Sequence, residues 1–185
     1  MKALRLFTIF LACAAAADAG LRARQAAAPR FEDYPAAVWG GRPAPLDLRS
    51  HPSARRYRTL MRRQQRDGGV NFAGRYTLAT VGCGTGCSIA AVIDARTGRA
   101  YFPTELYGWT SIVGDYDPPE GEEWWAYRAD SRLLRVVGRP NIGRPGEERH
   151  GPSGVYYYEW AEGRLKLVRF TPAGSYPEAD RPGRR

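Results

Sequence analysis

The sequence predicts an α+β fold: a mostly antiparallel β-sheet, arranged as a meander of hairpins, with one packed helix at its N-terminal end. Three observations lead to this prediction. One segment carries apolar residues at helical spacing, the segments after it are short apolar or alternating runs, and turn residues separate those runs. Short strands with turn chemistry between them are typical of antiparallel sheets.

Residues 1–19 have the layout of a signal peptide. Lys2 and Arg5 precede an apolar run, and Ala17-Asp18-Ala19 fits the small-residue pattern of a cleavage site. We therefore expect the mature chain to begin at Gly20 and to be exported, either to a periplasm or out of the cell. The apolar run is shorter than the roughly 20 residues that cross a bilayer, and no later stretch is apolar enough, so no membrane span is expected.

The rest of the chain divides into three parts by composition. Residues 20–50 are rich in alanine, proline and arginine and are predicted to form a linker that becomes an N-terminal arm. Residues 51–171 have the length and the apolar content of a single α+β domain. Residues 172–185 are polar and rich in proline, which predicts a disordered tail.

The helix is predicted over Ala54 to Arg66. Ser53 is its expected N-cap, and a glycine pair ends it. Tyr57, Leu60 and Met61 recur at helical spacing and form a narrow apolar stripe, which we expect to pack against the sheet. Arginines fill most of the remaining helix surface, so that surface should face solvent.

Eight strands are expected after the helix. The best hairpin signal joins two of them through the turn residues from Asp94 to Gly98. The expected strands cover residues 71–81, 89–93 and 99–102, the surroundings of Ile112, and residues 124–127, 133–137, 155–160 and 165–170.

The cysteines indicate a disulfide. Cys83 and Cys87 lie in a glycine-rich bend, and thiols in an exported protein meet oxidants. Thiol catalysis is less favoured because no base lies nearby in the sequence, and zinc is less favoured because the remaining candidate ligands, His51 and His150, lie singly. A phosphate-binding loop is not favoured, since a strand and not a helix follows the glycines. Lipid attachment at Cys13 is an alternative to leader cleavage, but the residues before it fit that pattern poorly.

The net charge of +9 is compatible with an anionic partner and equally with a solvated positive surface that has no specific ligand. For an exported protein such a partner is an envelope protein or an anionic envelope polymer, and nucleic acid is less favoured. We expect a monomer. No metal site, cofactor or catalytic residue is predicted.

Four residues are candidate binding residues: Asn71, Arg75, Trp109 and Tyr157. Arg75 should project from the face of its strand opposite to its apolar neighbours, and exposed aromatic rings beside arginine suit a binding face for protein or sugar rings. A structural reading is open for each of them, because most aromatic residues on alternating strands pack in a core.

The segment from Asn71 to Tyr76, followed by Gly82 to Cys87, resembles a family of uncharacterised exported bacterial proteins. The resemblance covers roughly Tyr57 to Tyr101. It implies a shared domain in an envelope setting and no particular activity. Where relatives often carry histidine, this chain has Arg75.

These observations favour a non-enzymatic binding, inhibitor or accessory protein of the cell envelope. The alternative is an envelope hydrolase with a carboxylate site on the loop from 114 to 123, because paired carboxylates support glycan hydrolysis. The carboxylates of that loop are Asp115, Asp117, Glu120, Glu122 and Glu123.

Overall fold

The computed structural model describes residues 28–111, 118, 123–143, 147 and 149–173. The predicted signal peptide, the first residues of the arm, the expected strand at Ile112 and nearly all of the predicted disordered tail lie outside these residues. Within them, the α+β class is confirmed: most of the regular structure is antiparallel strand, accompanied by one main helix.

Two helices stand where one was predicted. Helix α1 covers Pro52–Arg56 and helix α2 covers Arg58–Gly68, with Tyr57 between them at φ −102° and ψ 19°. The expected N-cap was wrong. His51 caps α1 through its Nδ1, which accepts a hydrogen bond from the Ser53 amide at 3.1 Å, because a proline at the first helical position places the cap one residue before it.

The strands form two four-stranded sheets instead of the single sheet expected. In sheet I, β2 is central: β1 pairs with one side of it, and β3 and β4 pair with the other. Sheet II is an antiparallel meander in the order β5-β6-β7-β8. The bounds are β1 Tyr76–Gly84, β2 Cys87–Asp94, β3 Ala100–Tyr101, β4 Tyr107–Thr110, β5 Trp125–Tyr127, β6 Leu133–Gly138, β7 Gly154–Ala161 and β8 Arg164–Pro172.

Strand β1 begins later than predicted. Ala73 and Gly74 have positive φ angles of 47° and 81°, so the chain turns sharply there, and Phe72 forms a bridge with Tyr76. Gly74 has no space for a side chain, because a Cβ there would meet the Ala37 carbonyl at 2.5 Å. The predicted strand start at Asn71 was therefore a turn that leads into the strand.

The core is layered. One cluster joins the facing sides of the two sheets, and aromatic contacts such as Trp109 with Tyr156, whose ring centroids lie 5.4 Å apart, cross between them. A second cluster lies between the opposite face of sheet I and the helices; it contains Met61, which is fully buried. Leu60, which was expected there too, is 38% exposed, because it lies one residue away from the buried stripe.

The N-terminal arm is docked. It pairs with both sheets: Pro35 forms a bridge with Ser131, the Trp39 amide donates to the Gly74 carbonyl at 2.7 Å, and the Ala44 amide donates to the Ala95 carbonyl at 2.7 Å. Its aromatic residues pack with a third cluster on the outer face of sheet II. The arm thus closes one face of sheet II, as the helices close one face of sheet I. No helix in the described part of the chain is long and apolar enough to cross a membrane.

Candidate binding surfaces

The predicted disulfide is confirmed. Cys83 and Cys87 are bonded, with their Cα atoms 5.1 Å apart, at the tip of the hairpin formed by β1 and β2. The register of that hairpin shifts between Gly82 and Gly84, and Gly86 takes a φ of 68° in the turn. The bond fixes this irregular tip, and cysteines that are disulfide-bonded supply no thiolate for a metal or for catalysis.

Asn71 covers the outer edge of β1. Its Oδ1 accepts from the Leu78 amide at 2.7 Å, and its Nδ2 donates to the Leu78 carbonyl at 3.3 Å. Gln64 of α2 makes the same pair of bonds to Thr80: its Oε1 accepts from the Thr80 amide at 2.8 Å, and its Nε2 donates to the Thr80 carbonyl at 2.5 Å. Two side-chain carboxamides therefore bond to the backbone groups of β1 in the way that a neighbouring strand would. Without them, these backbone groups would be open to pairing with another chain.

Arg75 forms an ion pair at the start of β1. Its Nε lies 3.2 Å from Asp94 Oδ2, and its Nη2 donates to the Tyr76 hydroxyl at 2.9 Å. Burial acts to lower the pKa of this guanidinium, but the nearby Tyr76 and Asp94 outweigh it, and the pKa is raised. Asp94 is buried and also accepts from the Arg96 amide at 2.8 Å. Arg75 thus holds a buried carboxylate at the end of β2.

Trp109 and Tyr157 lie in the interior. Trp109 is fully buried between the sheets, and its indole N–H donates to the Val137 carbonyl at 3.0 Å. Tyr157 packs in the cluster on the outer face of sheet II and also belongs to the wall of a surface depression. The four candidate binding residues thus have separate positions, and the structure does not bring them together in one site.

The helices present a row of exposed arginines. Three of them, Arg58, Arg62 and Arg66, are four residues apart on one side of α2, and the fourth is Arg55 of α1, whose carbonyl accepts a hydrogen bond from Arg58 Nη1 at 3.3 Å. Two further exposed arginines, Arg56 and Arg63, flank the row. The only carboxylate in either helix is Asp67, which lies 3.3 Å from Arg66 and 3.5 Å from Arg63. The sequence already contained this signal in the helical spacing of its arginines.

Two depressions adjoin strand β5. The first, of about 740 Å³, includes Phe31, Arg135 and Tyr157 in its wall, and the second, of about 620 Å³, includes Thr80, Ser88 and Ser111. Glu123, Trp125 and Tyr127 belong to both walls. Because both depressions form only where an edge strand meets a second sheet and the arm, no local sequence pattern predicts them.

The polar groups of these walls include one buried cation. Arg135 is 8% exposed, and its Nη1 donates to the Glu123 carbonyl at 3.3 Å. Burial, followed by the charge of Glu123, raises the pKa of the Tyr127 hydroxyl. The hydroxyl therefore stays protonated at neutral pH and can donate a hydrogen bond.

The residues of the hydrolase and zinc alternatives are only partly described. Of the loop carboxylates, Asp115, Asp117, Glu120 and Glu122 lie outside the described residues, and Glu123 lies at the depressions. His51 is the helix cap and stacks on Phe102 with the ring centroids 4.4 Å apart. Among the described residues, no group of three or more histidine, cysteine or carboxylate side chains could hold a metal ion.

Comparisons of the chain with protein-family models, with curated proteins and with solved structures found no match in any of the three. The chemistry of the chain's own surfaces therefore carries the functional interpretation.

Proposed function

We propose that this protein is an exported, non-enzymatic binding module of the cell envelope that recognises an anionic polymer through the arginine row of α1 and α2. The single observation that carries the proposal is the row itself: four exposed arginines along two consecutive helices that together contain one carboxylate. The signal-like leader and the resemblance to exported bacterial proteins support the envelope setting.

The geometry of the row suits a polymer better than a small ion. Arg58 and Arg66 are eight positions apart, which corresponds to about 12 Å along a helix axis. A polymer with one charge per repeating unit presents successive anionic groups over such a distance, whereas a single small anion contacts one or two guanidinium groups. Arginine is also the cation that best matches phosphate and carboxylate oxygens, because its planar fork donates two parallel hydrogen bonds.

The row has a cost for the unbound protein. Like charges four residues apart on a helix destabilise it by about 0.2–0.5 kcal/mol per pair. A bound polyanion removes this repulsion and releases counterions, so binding should weaken steeply as salt is added. The helices pack on sheet I through Met61 and not through the arginines, so a ligand could cover the row without disturbing the core.

The test uses two polyanions that contain no sugar, long-chain polyphosphate and poly-L-glutamate, with affinity measured by isothermal titration calorimetry at several salt concentrations. The variant replaces the row by glutamine: Arg55→Gln, Arg58→Gln, Arg62→Gln and Arg66→Gln. The matched control removes the same charge from exposed arginines elsewhere: Arg42→Gln, Arg96→Gln, Arg149→Gln and Arg164→Gln.

The row variant should bind at least tenfold more weakly, since four surface charge contacts at about 0.5 kcal/mol each sum to about 2 kcal/mol. The control variant should keep most of the affinity. Equal losses in both variants would mean that net charge alone attracts the polymer, and the proposal would then be wrong. The hydrolase alternative makes a separate prediction, that the protein shortens a glycan substrate.

A further inference from the structure

We propose that the two depressions beside β5 form one binding groove, the β5 groove, for a neutral oligosaccharide of pyranose rings. The β5 groove is defined by the residues that both depressions share, Glu123, Trp125 and Tyr127, together with Arg135 and the hydroxyl residues Thr80 and Ser88. It lies on a different layer of the molecule from the arginine row and does not rest on the proposed function.

The aromatic rings supply the first requirement of a sugar site. Trp125 and Tyr127 are half-buried, belong to the walls of both depressions and also pack on the core. Trp125 packs edge-on against the buried Trp109 with the ring centroids 5.9 Å apart, and Tyr127 packs edge-on against Phe72 at 6.2 Å. These contacts hold the rings in fixed orientations. A rigid ring with a negative π face attracts the polarised C–H groups of a pyranose face, and its fixed position lowers the entropy cost of binding.

The polar groups supply the second requirement, which is to bind hydroxyl groups. Arg135 is held in the wall by the Glu123 carbonyl at 3.3 Å and donates only. The Glu123 carboxylate accepts only, and the hydroxyls of Thr80 and Ser88 can do both. A sugar hydroxyl donates one hydrogen bond and accepts two, so it needs this mixture of partners.

Charge decides between a neutral and an acidic sugar. Of the described residues that line the groove, Glu123 carries a carboxylate and Arg135 carries a guanidinium, so the formal charges of the described lining balance. An acidic sugar would meet repulsion from Glu123 as well as attraction from Arg135, whereas a neutral sugar matches a lining without net charge. The volumes of about 740 and 620 Å³ lie within the range of about 300–1,000 Å³ that is usual for ligand sites, and two depressions that share three lining residues leave room for more than one ring.

The experiment titrates the full chain with chitohexaose and with cellohexaose, two neutral hexasaccharides, and follows tryptophan fluorescence and binding heat. Trp125→Phe keeps an apolar side chain but removes the larger ring, and Glu123→Gln removes the exposed carboxylate without touching the core. Trp39→Phe and Glu162→Gln are the matched controls, because both residues lie outside the groove and Glu162 is exposed.

We expect at least one hexasaccharide to bind, with affinity about tenfold weaker in Trp125→Phe and in Glu123→Gln and unchanged in both controls. Should Trp125→Phe fail to fold, Glu123→Gln alone decides the matter. No binding of either hexasaccharide at millimolar concentration would overturn the proposal. Equal binding of a hexasaccharide by the folded protein and by the same chain after unfolding and carboxymethylation would also overturn it. The arginine-row variant should bind the hexasaccharides like the wild type, so failure here and failure of the polyanion test are distinguishable.

Discussion

Replacing Asn71 by alanine should destabilise the protein by about 2 kcal/mol, because the side chain satisfies both backbone groups of Leu78. Its Oδ1 accepts from the Leu78 amide at 2.7 Å, and its Nδ2 donates to the carbonyl at 3.3 Å. Leu78 is 2% exposed, so water has little access to replace the lost partners. A buried backbone group left without a partner costs about 1–3 kcal/mol, which is more than the net worth of an ordinary hydrogen bond.

Two comparison variants separate this explanation from a general loss of contacts. Gln64→Ala removes the same pair of bonds from Thr80, which is half-exposed and can bond to water, so its cost should be smaller, about 1 kcal/mol. Asn71→Asp keeps the acceptor but turns a carboxylate oxygen towards the Leu78 carbonyl. It should be at least as unstable as the alanine variant at pH 7 and regain stability below about pH 4, where a protonated carboxyl can donate.

Urea titrations followed by circular dichroism measure these free energies of unfolding, provided that the denaturant slope is the same for all variants. Asn141→Ala is the matched asparagine control, because within the described residues its Oδ1 accepts one bond, from the Gly143 amide at 2.9 Å, and the residue is only half-buried. If Asn71→Ala cost no more than Asn141→Ala, the reasoning about the β1 edge would be refuted.

Two further outcomes are expected. Arg75→Gln should lower the free energy of unfolding by about 1–2 kcal/mol, because the buried Asp94 carboxylate loses the guanidinium that lies 3.2 Å from it; the effect is limited because the half-exposed arginine is partly screened by water. The affinity for polyphosphate should not change. A clear loss of that affinity would show that Arg75 belongs to the binding surface. Burial, with smaller effects of Tyr156 and Glu105, raises the pKa of Tyr158 above its unfolded value of about 10, so its stabilising contribution is complete below pH 10 and is lost as pH rises through the folded pKa. Stability should therefore fall above pH 10, and less steeply in Tyr158→Phe; identical profiles would contradict the assignment.

The strands were predictable where local pattern decides them. The continuous apolar run of β2 is buried on both faces, against the helices on one side and sheet II on the other, and its sequence shows this directly. The helix begins at Pro52, two residues before the predicted start. Serine is a common N-cap residue, but the proline fixes the first helical position and so makes His51 the cap. The division into two sheets was not predictable, since pairing between distant strands leaves no mark on local periodicity.

The candidate binding surfaces also differ in how far the sequence predicts them. The arginine row follows from residue spacing on a helix and is visible in the sequence. The burial of Trp109 is not visible in the sequence. Alternation along a strand places half of the residues on each face, but it does not show which face is covered by other parts of the protein. Asn71 reads equally well as a ligand contact or a structural residue until the exposed edge of β1 is seen beside it.

The layering of the molecule separates the two proposed binding surfaces. The arginine row lies on helices that pack against one face of sheet I, whereas β5 belongs to sheet II, which packs on the opposite face. Between them lies β2, whose buried residues contact both layers. A closely packed sheet transmits little rearrangement when exposed side chains on one side are changed. Removing the arginine charges should therefore leave the orientations of the Trp125 and Tyr127 rings unchanged. A single ligand that bound to both surfaces would have to be a chain long enough to pass from the helices, around sheet I, to the edge of sheet II.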